Sequence, residues 1–411
     1  MTEAISTTPH TALTLPTRRH DPLDPPPEFD RIRQEQPATR LAFPDGHLGW
    51  LFTRYEDVRA GLADTRLSSH LPRRTSPVRI TPLTEEDIEP FANDRSLINT
   101  DPPDHTRLRR LLTGQFTVRR MRALQPRIDQ IVSDHIDAMA RGPRPVDLVT
   151  VLALPVPSLV ICELLGVPYT DRADFQRHSA TLLDVTSTRE EILTAIRSIR
   201  EYMGELVRSK REHPTDDILT GLVHADAGGQ PLTHDELVAI GVLLLIAGHE
   251  TTANMIALGT LTLLRDRTRW EQLSAEPQLI PRAVEELLRY LSIVQFGLVR
   301  YAKERVELGG VVIQPGEYVV LHLPAANRDP DKFPDPHTLD FHRTNTHHLA
   351  FGHGVHQCLG QQLARVELTA TFTRLTSRFP NLRLATPPDH VPMRDTMVVY
   401  GVRELLVDWD D

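Results

Sequence analysis

Only two cysteines, Cys162 and Cys358, occur in 411 residues, and they lie far apart. Such a pair offers no disulfide framework and argues against a disulfide-built secreted protein. No uninterrupted apolar run approaches the 18 or so residues of a membrane-crossing helix. Residues 1–26 are rich in Thr and Pro and lack the apolar centre of a signal peptide. The expectation is a soluble, cytoplasmic chain with no membrane anchor. Net charge is −9, so there is no global basic signal for nucleic acid. Lysine is confined to Lys210, Lys303 and Lys332 beside many arginines, which carries no functional weight. No internal repeat, low-complexity tract or linker divides the chain. Size alone admits two or three domains, but the pattern favours one. We expect a disordered leader over 1–24 and a single, mainly α domain over 25–411 with a small β-rich part.

Within that domain the pattern predicts a helix from Phe29 to about Gln36 and a β-hairpin of Arg40–Phe43 and Leu48–Thr53 around Pro44-Asp-Gly46. A short amphipathic helix follows over Tyr55–Ala63. Ser69 to Ile98 has no clean period, and long irregular segments in compact domains are often lids. Helices dominate from Asp104 to about Leu291, and strands and turns fill Val299–Leu323. Strand-like alternation returns in Met397–Tyr400 and Glu404–Asp408.

Cys358 sits in Phe351-Gly-His-Gly-Val-His-Gln-Cys-Leu-Gly360, and a helical stripe of Leu359, Leu363, Val366 and Ala370 follows. A lone thiol in a glycine-rich loop is suited to be a single metal ligand, and coordination deprotonates it. Gly352 and Gly354 can adopt conformations closed to other residues and let the main chain approach a flat ligand. Freed N–H groups and a helix N-terminus both favour a negative sulfur.

A second pattern begins at Thr233-His-Asp-Glu236, a capping box, and continues as apolar periodicity to about Leu264. In its middle lies Ala247-Gly-His-Glu-Thr-Thr252. Gly248 weakens the helix and a Thr hydroxyl can bond back one turn, so the hydrogen-bond ladder can open there. An acid beside an alcohol, Glu250 and Thr251, can relay protons into a buried site. Glu286 and Arg289, three apart, face the same way: an exposed pair of small worth, or a buried one.

Together these motifs resemble the cytochrome P450 superfamily, the haem-thiolate monooxygenases, and in particular its soluble bacterial branch. The resemblance covers about Pro25 to Trp409 and includes Ala325-Ala-Asn-Arg-Asp-Pro330. It implies a triangular helix-rich fold with a long central helix, and haem b bound through Cys358. It implies that Glu250 and Thr251 deliver protons during oxygen activation, and that Glu286, Arg289 and an Arg from the loop before the cysteine, here Arg343, form a structural triad. Haem propionates need cationic or donor partners, and His105, Arg109, Arg300 and His356 stand at the family's positions. Leu243, Ile246, Ala247, Phe296, Leu298, Met397 and Val398 match its substrate-contacting segments, although each can equally be plain core. Ser69–Ile98 and Thr181–Ser187 would form the entrance.

The implied activity is insertion of one oxygen atom from O2 into a bulky lipophilic substrate: a macrolide or other polyketide, a terpenoid or a xenobiotic. Hydroxylation, epoxidation and demethylation are all compatible. Electrons would come from NAD(P)H through a reductase and an iron–sulfur ferredoxin, with the chain acting as a monomer. Arg107, Arg109, Arg110, Arg119, Arg120 and Arg122 form a basic cluster: a docking patch for an acidic ferredoxin, or a solvated face. Two rivals stand beside this reading. One is a haem-thiolate protein that isomerises, uses peroxide or senses. The other is a zinc module built on His348, His353, His356 and Cys358, whose spacing suits paired zinc ligands poorly.

Overall fold

The computed structural model describes residues 12–72, 75–79, 87, 96–225 and 231–410. The mainly α architecture expected from the pattern is what it shows. Its axis is the helix His234–Arg265, whose 32 residues span about 48 Å at 1.5 Å each. The capping box forms: Thr233 Oγ1 accepts from the Glu236 N–H, and Glu236 Oε2 accepts from the Thr233 N–H at 2.9 Å. From Thr252 to Leu264 every residue is buried, as expected of a helix apolar all round. By length and composition this helix can cross a membrane, but it serves here as core, packed against Pro155–Leu165, Arg189–Glu212 and Gln361–Arg378. Counting uninterrupted apolar runs missed it because Gly248 to Thr252 break the run.

The small β part is led by a five-stranded sheet in the order Ala38–Ala42, Leu48–Phe52, Tyr318–Leu321, Leu298–Ala302, Leu67–Ser68, with a separate three-stranded sheet of Val146–Asp147, Leu406–Asp408 and Arg383–Leu384. Leu48–Phe52 runs parallel to Tyr318–Leu321, so chain ends far apart in sequence meet there. The hairpin Val306–Leu308/Val311–Ile313 turns on Gly309 and Gly310, both at positive φ, as a tight turn of this kind requires.

Only the second half of the expected leader, from residue 12, falls within the described residues. Residues 1–11 lie outside the described residues, whereas from residue 12 the chain is packed. The N–H of Leu13 donates to Arg40 O at 2.9 Å, Leu15 and Leu23 are buried, and the Arg19 guanidinium stacks 3.8 Å over the Tyr400 ring. Thr- and Pro-rich composition hid these anchors. At the C-terminus only Leu406–Asp408 is a strand, while Met397 and Val399 make isolated bridges to Asp184 and Val294. Much of the expected lid, residues 73–74, 80–86 and 88–95, lies outside the described residues.

Candidate active site

A cavity of about 310 Å³ separates the long helix from the cysteine loop. Leu243, Ala247 and Thr251, spaced four apart on one helix face, form one wall. Phe351, Gly352, Cys358 and Gly360 belong to another. The loop is shaped by the bond from the Cys358 N–H to Phe351 O at 2.8 Å and by a short 3-10 turn, Gly354–His356. The helix then starts at Gln361, two residues later than the pattern suggested.

Gly352 and Gly354 adopt φ of +68° and +74°. A Cβ on Gly354 would lie 2.6 Å from Leu62 O, so the loop is pressed against the helix Tyr55–Ala63. Beside Gly352 and Gly360 there is open space instead, a cradle for a flat group. The Cys358 sulfur is open to the cavity although protein surrounds it. Burial pushes its thiol up; the N–H groups of Gly360 and Gln361 and the charges of Arg109 and Arg365 oppose this.

Three of the four expected cationic or donor residues, His105, Arg109 and His356, line the cavity, and Arg300 lies close enough to act on His356. His105 is 2% exposed, yet neither ring nitrogen has a partner. Its ring lies 4.2 Å from that of His356. Burial, reinforced by His105, Arg300 and Arg109, pushes His356 down to about 4. Burial also pulls Arg300 down to about 10, against the field of Asp101. Asp101 is already engaged by the Ser68 hydroxyl at 2.5 Å, the Ser69 N–H at 3.0 Å and Lys303 at 3.2 Å. Donors therefore converge beside a carboxylate, Asp101, that is already engaged. Buried donors left unpaired are costly, and the carboxylates of a haem would satisfy them. The cradle, the open sulfur and these donors fit that group.

The long helix is continuous through the acid–alcohol motif, without the opening its sequence allowed. Thr251 Oγ1 donates to Ala247 O at 2.7 Å and lines the cavity. Glu250 does not line it. It is 3% exposed, and its Oε2 accepts from Arg394 at 2.9 Å and Asn254 Nδ2 at 3.4 Å. Nothing in the local sequence pointed to Arg394, which arrives from 144 residues away.

Glu286 and Arg289 are buried and bonded at 2.8 Å in a two-pronged pair. Arg343 adds 3.1 and 3.2 Å bonds to the same carboxylate, and the Asp340 N–H adds one at 2.9 Å. Asn327, within the Ala325–Pro330 motif, accepts the Leu349 N–H at 2.7 Å, just before the loop.

Of the expected substrate contacts, Leu243, Ala247 and Leu298 line the cavity; Ile246, Phe296, Met397 and Val398 do not. Ile246 is off the helix face, and Phe296 is buried in a core cluster with Phe29 and Val320. Met397 pairs with Asp184, and Val398 donates to Leu183 O at 2.8 Å, which also pins the Thr181–Ser187 segment away from the cavity wall. Sequence reasoning missed Ile98, Phe116, Ile161 and Val294 on the wall, and Glu367. Glu367 is fully buried, its Oε2 has no partner, and burial raises it well above the usual carboxylate range. In the basic cluster, Arg107 pairs with Glu236 and Arg120 bonds Gln115, which leaves Arg110, Arg119 and Arg122 exposed. Among the described residues no three His, Cys, Asp or Glu side chains are grouped to hold a metal; of the zinc module's expected ligands, His348 faces Glu285 and His356 packs on His105.

A family model described as Cytochrome P450 matches residues 176–402. The chain belongs to the cytochrome P450 family. It is 46% identical over 411 residues, covering all of both chains, to "Cytochrome P450-SU2" of Streptomyces griseolus. A crystal structure of CYP105P1 in complex with filipin I superposes with a TM-score of 0.90 at 43% identity, over 97% of this chain and 99% of that one. The mycinamicin VIII C21 methyl hydroxylase MycCI of Micromonospora griseorubida, bound to mycinamicin VIII, gives 0.89 at 40% identity, over 95% and 98%. The fold is the cytochrome P450 fold, and the protein is a P450 monooxygenase. Its cofactor is haem b with a cysteine thiolate ligand and its co-substrate is O2. Electrons come from NAD(P)H through redox partner proteins.

Proposed function

We propose that Cys358 is the haem ligand, that His105, Arg109, Arg300 and His356 hold the propionates, and that Thr251 and Glu250 handle protons for insertion of oxygen into a bulky lipophilic molecule. The observation that carries this reading is one cavity bordered by the open Cys358 sulfur, by unpartnered His105 and by Thr251. When bound, the haem supplies the activation of O2. The protein supplies position and protons. The Thr251 proton is committed to Ala247 O, so toward the cavity this hydroxyl is an acceptor. Glu250 is buried and held by Arg394, whose side chain is 17% exposed, so this pair links the acid to the protein's surface. Side chains such as Leu243, Leu244, Met255 and Leu298 exclude water and offer a ligand contact area without fixed charge.

A macrolide or other polyketide, a terpenoid or a xenobiotic is compatible with these apolar walls, and the neighbours bound to filipin I and mycinamicin VIII support the first. We place the protein in the cytoplasm as a monomer reduced by a ferredoxin at Arg110, Arg119 and Arg122. Arg119→Glu with Arg122→Glu should slow that reduction and flatten its salt dependence; stopped-flow rates unchanged across salt would remove the patch from consideration. The reduced carbon-monoxide complex of the purified protein should show the strongly red-shifted Soret band of a thiolate ligand. Cys358→Ala should abolish that band and product formation together. A Cys358→Ala protein that keeps the band would overturn the assignment.

A further inference from the structure

The carboxylate next to the structural triad has a separate job. Glu285 precedes Glu286 on the helix Ile280–Leu291, but it points its bonds elsewhere. It accepts from Arg365 Nε at 2.6 Å and Nη2 at 3.0 Å, a two-pronged pair, and lies 3.3 Å from His348 Nε2. His348 Nδ1 accepts the Ala350 N–H at 3.2 Å, so the ring proton sits on Nε2, toward Glu285. Burial pushes the Glu285 carboxyl up, but His348 and Arg365 outweigh it and hold it at about 2. The Arg365 guanidinium, fixed in this way, lies 4.6 Å over the Phe351 ring and also bonds Gln361 Oε1 at 3.0 Å. Phe351 O is the acceptor of the Cys358 N–H.

Each contact thus leads to the cysteine. Glu285 orients Arg365, Arg365 covers Phe351, and Phe351 fixes the peptide that carries the sulfur. Arginine suits the middle place because its planar fork can pair two-pronged with a carboxylate while its face stacks on a ring. Groups one step removed from a metal ligand commonly set its potential.

We infer that Glu285, Arg365 and His348 form a charge-balanced clamp of positioning residues that holds Phe351 and the Cys358 peptide and thereby sets the electronic environment of the cysteine sulfur. The inference rests on Cys358 being the haem ligand. Removing the negative member leaves positive charge unbalanced near the sulfur and favours the more negative, reduced state. Removing the positive member does the reverse.

The test uses haem-loaded protein at neutral pH, with the midpoint potential and the Soret position of the reduced carbon-monoxide complex as readouts. Glu285→Gln should raise the midpoint and Arg365→Gln should lower it, each with a displaced Soret maximum. Arg365→Lys keeps charge but loses the fork, and should fall between wild type and Arg365→Gln. Midpoints equal to wild type, or shifts of the same sign in both glutamine variants, overturn the clamp. Should a glutamine variant fail to retain haem, Arg365→Lys decides alone: a displaced midpoint supports the clamp and a wild-type value rejects it. A wild-type protein without the thiolate-type band would instead refute the assignment of Cys358, so the two failures are distinguishable.

Discussion

Glu286 and His105 are almost equally buried, at 3% and 2% exposure, and the fold treats them oppositely. Glu286 is saturated: Arg289, Arg343 and the Asp340 N–H all reach its carboxylate. His105 has neither ring nitrogen bonded, and nearby Arg300 finds, among the described residues, the backbone oxygen of Val299 at 2.8 Å. A buried charge network closed on itself specifies the fold. A buried set of donors left open specifies a ligand, because the fold tolerates their cost only if something else meets it. Both kinds occur beside the cysteine loop, one holding the loop and the other facing the cavity that the loop borders.

Breaking the closed network should have the larger effect. Glu286→Ala leaves Arg289 and Arg343 without their anion, and removing one partner of a buried pair costs about 3–5 kcal/mol. Haem-free or insoluble protein is expected; a soluble variant with full haem content on absorbance spectroscopy would show that the network is not structural. Breaking the open set should separate stability from binding. Arg300→Met with His105→Phe removes polar groups that the protein leaves without a charged partner, so unfolding of the haem-free protein should be unchanged or slightly improved by denaturant titration. Haem retention on gel filtration should nevertheless fall several-fold. Equal losses of both would erase the distinction between the two sets.

The smallest effect concerns Glu367, an acid that is buried like Glu286 but unpartnered like His105. Its native value is raised above the ordinary 4.5, so the folded protein holds a proton that the unfolded chain has released. Its contribution to stability is therefore intact below about pH 4.5 and declines as pH rises. Glu367→Gln should gain in melting temperature over wild type as pH goes from 5 to 8, and a constant difference would mean that Glu367 is already ionised and paired.

Much of this site was readable from residues in order. Gly352, Gly354 and Cys358 lie within seven residues, and glycines close before a lone thiol are a local signal; both took positive φ. The capping box at Thr233 and Glu236 and the length of the helix it starts are also local, and both formed as read. The pocket wall was legible only in part. Helix periodicity put Leu243 and Ala247 on the face that lines the cavity, whereas Met397 and Val398 are held off the wall by backbone bonds to Asp184 and Leu183 that no local pattern encodes. The packing of residues 12–24 is equally non-local: Arg19 stacks on Tyr400, at the other end of the chain.

The sequence by itself determined which family chemistry this chain carries, because the lone thiol in its glycine-rich loop, the acid–alcohol motif and the helix that bears it are written in short runs whose physics is local. Tertiary structure decided which charges are closed and which are open. Glu285 and Glu286 are adjacent and chemically alike. Only packing sends one to Arg365 and the cysteine loop and the other to Arg289 and Arg343. The worth of a buried charge depends on partners brought from distant segments, and that is settled only when the segments meet.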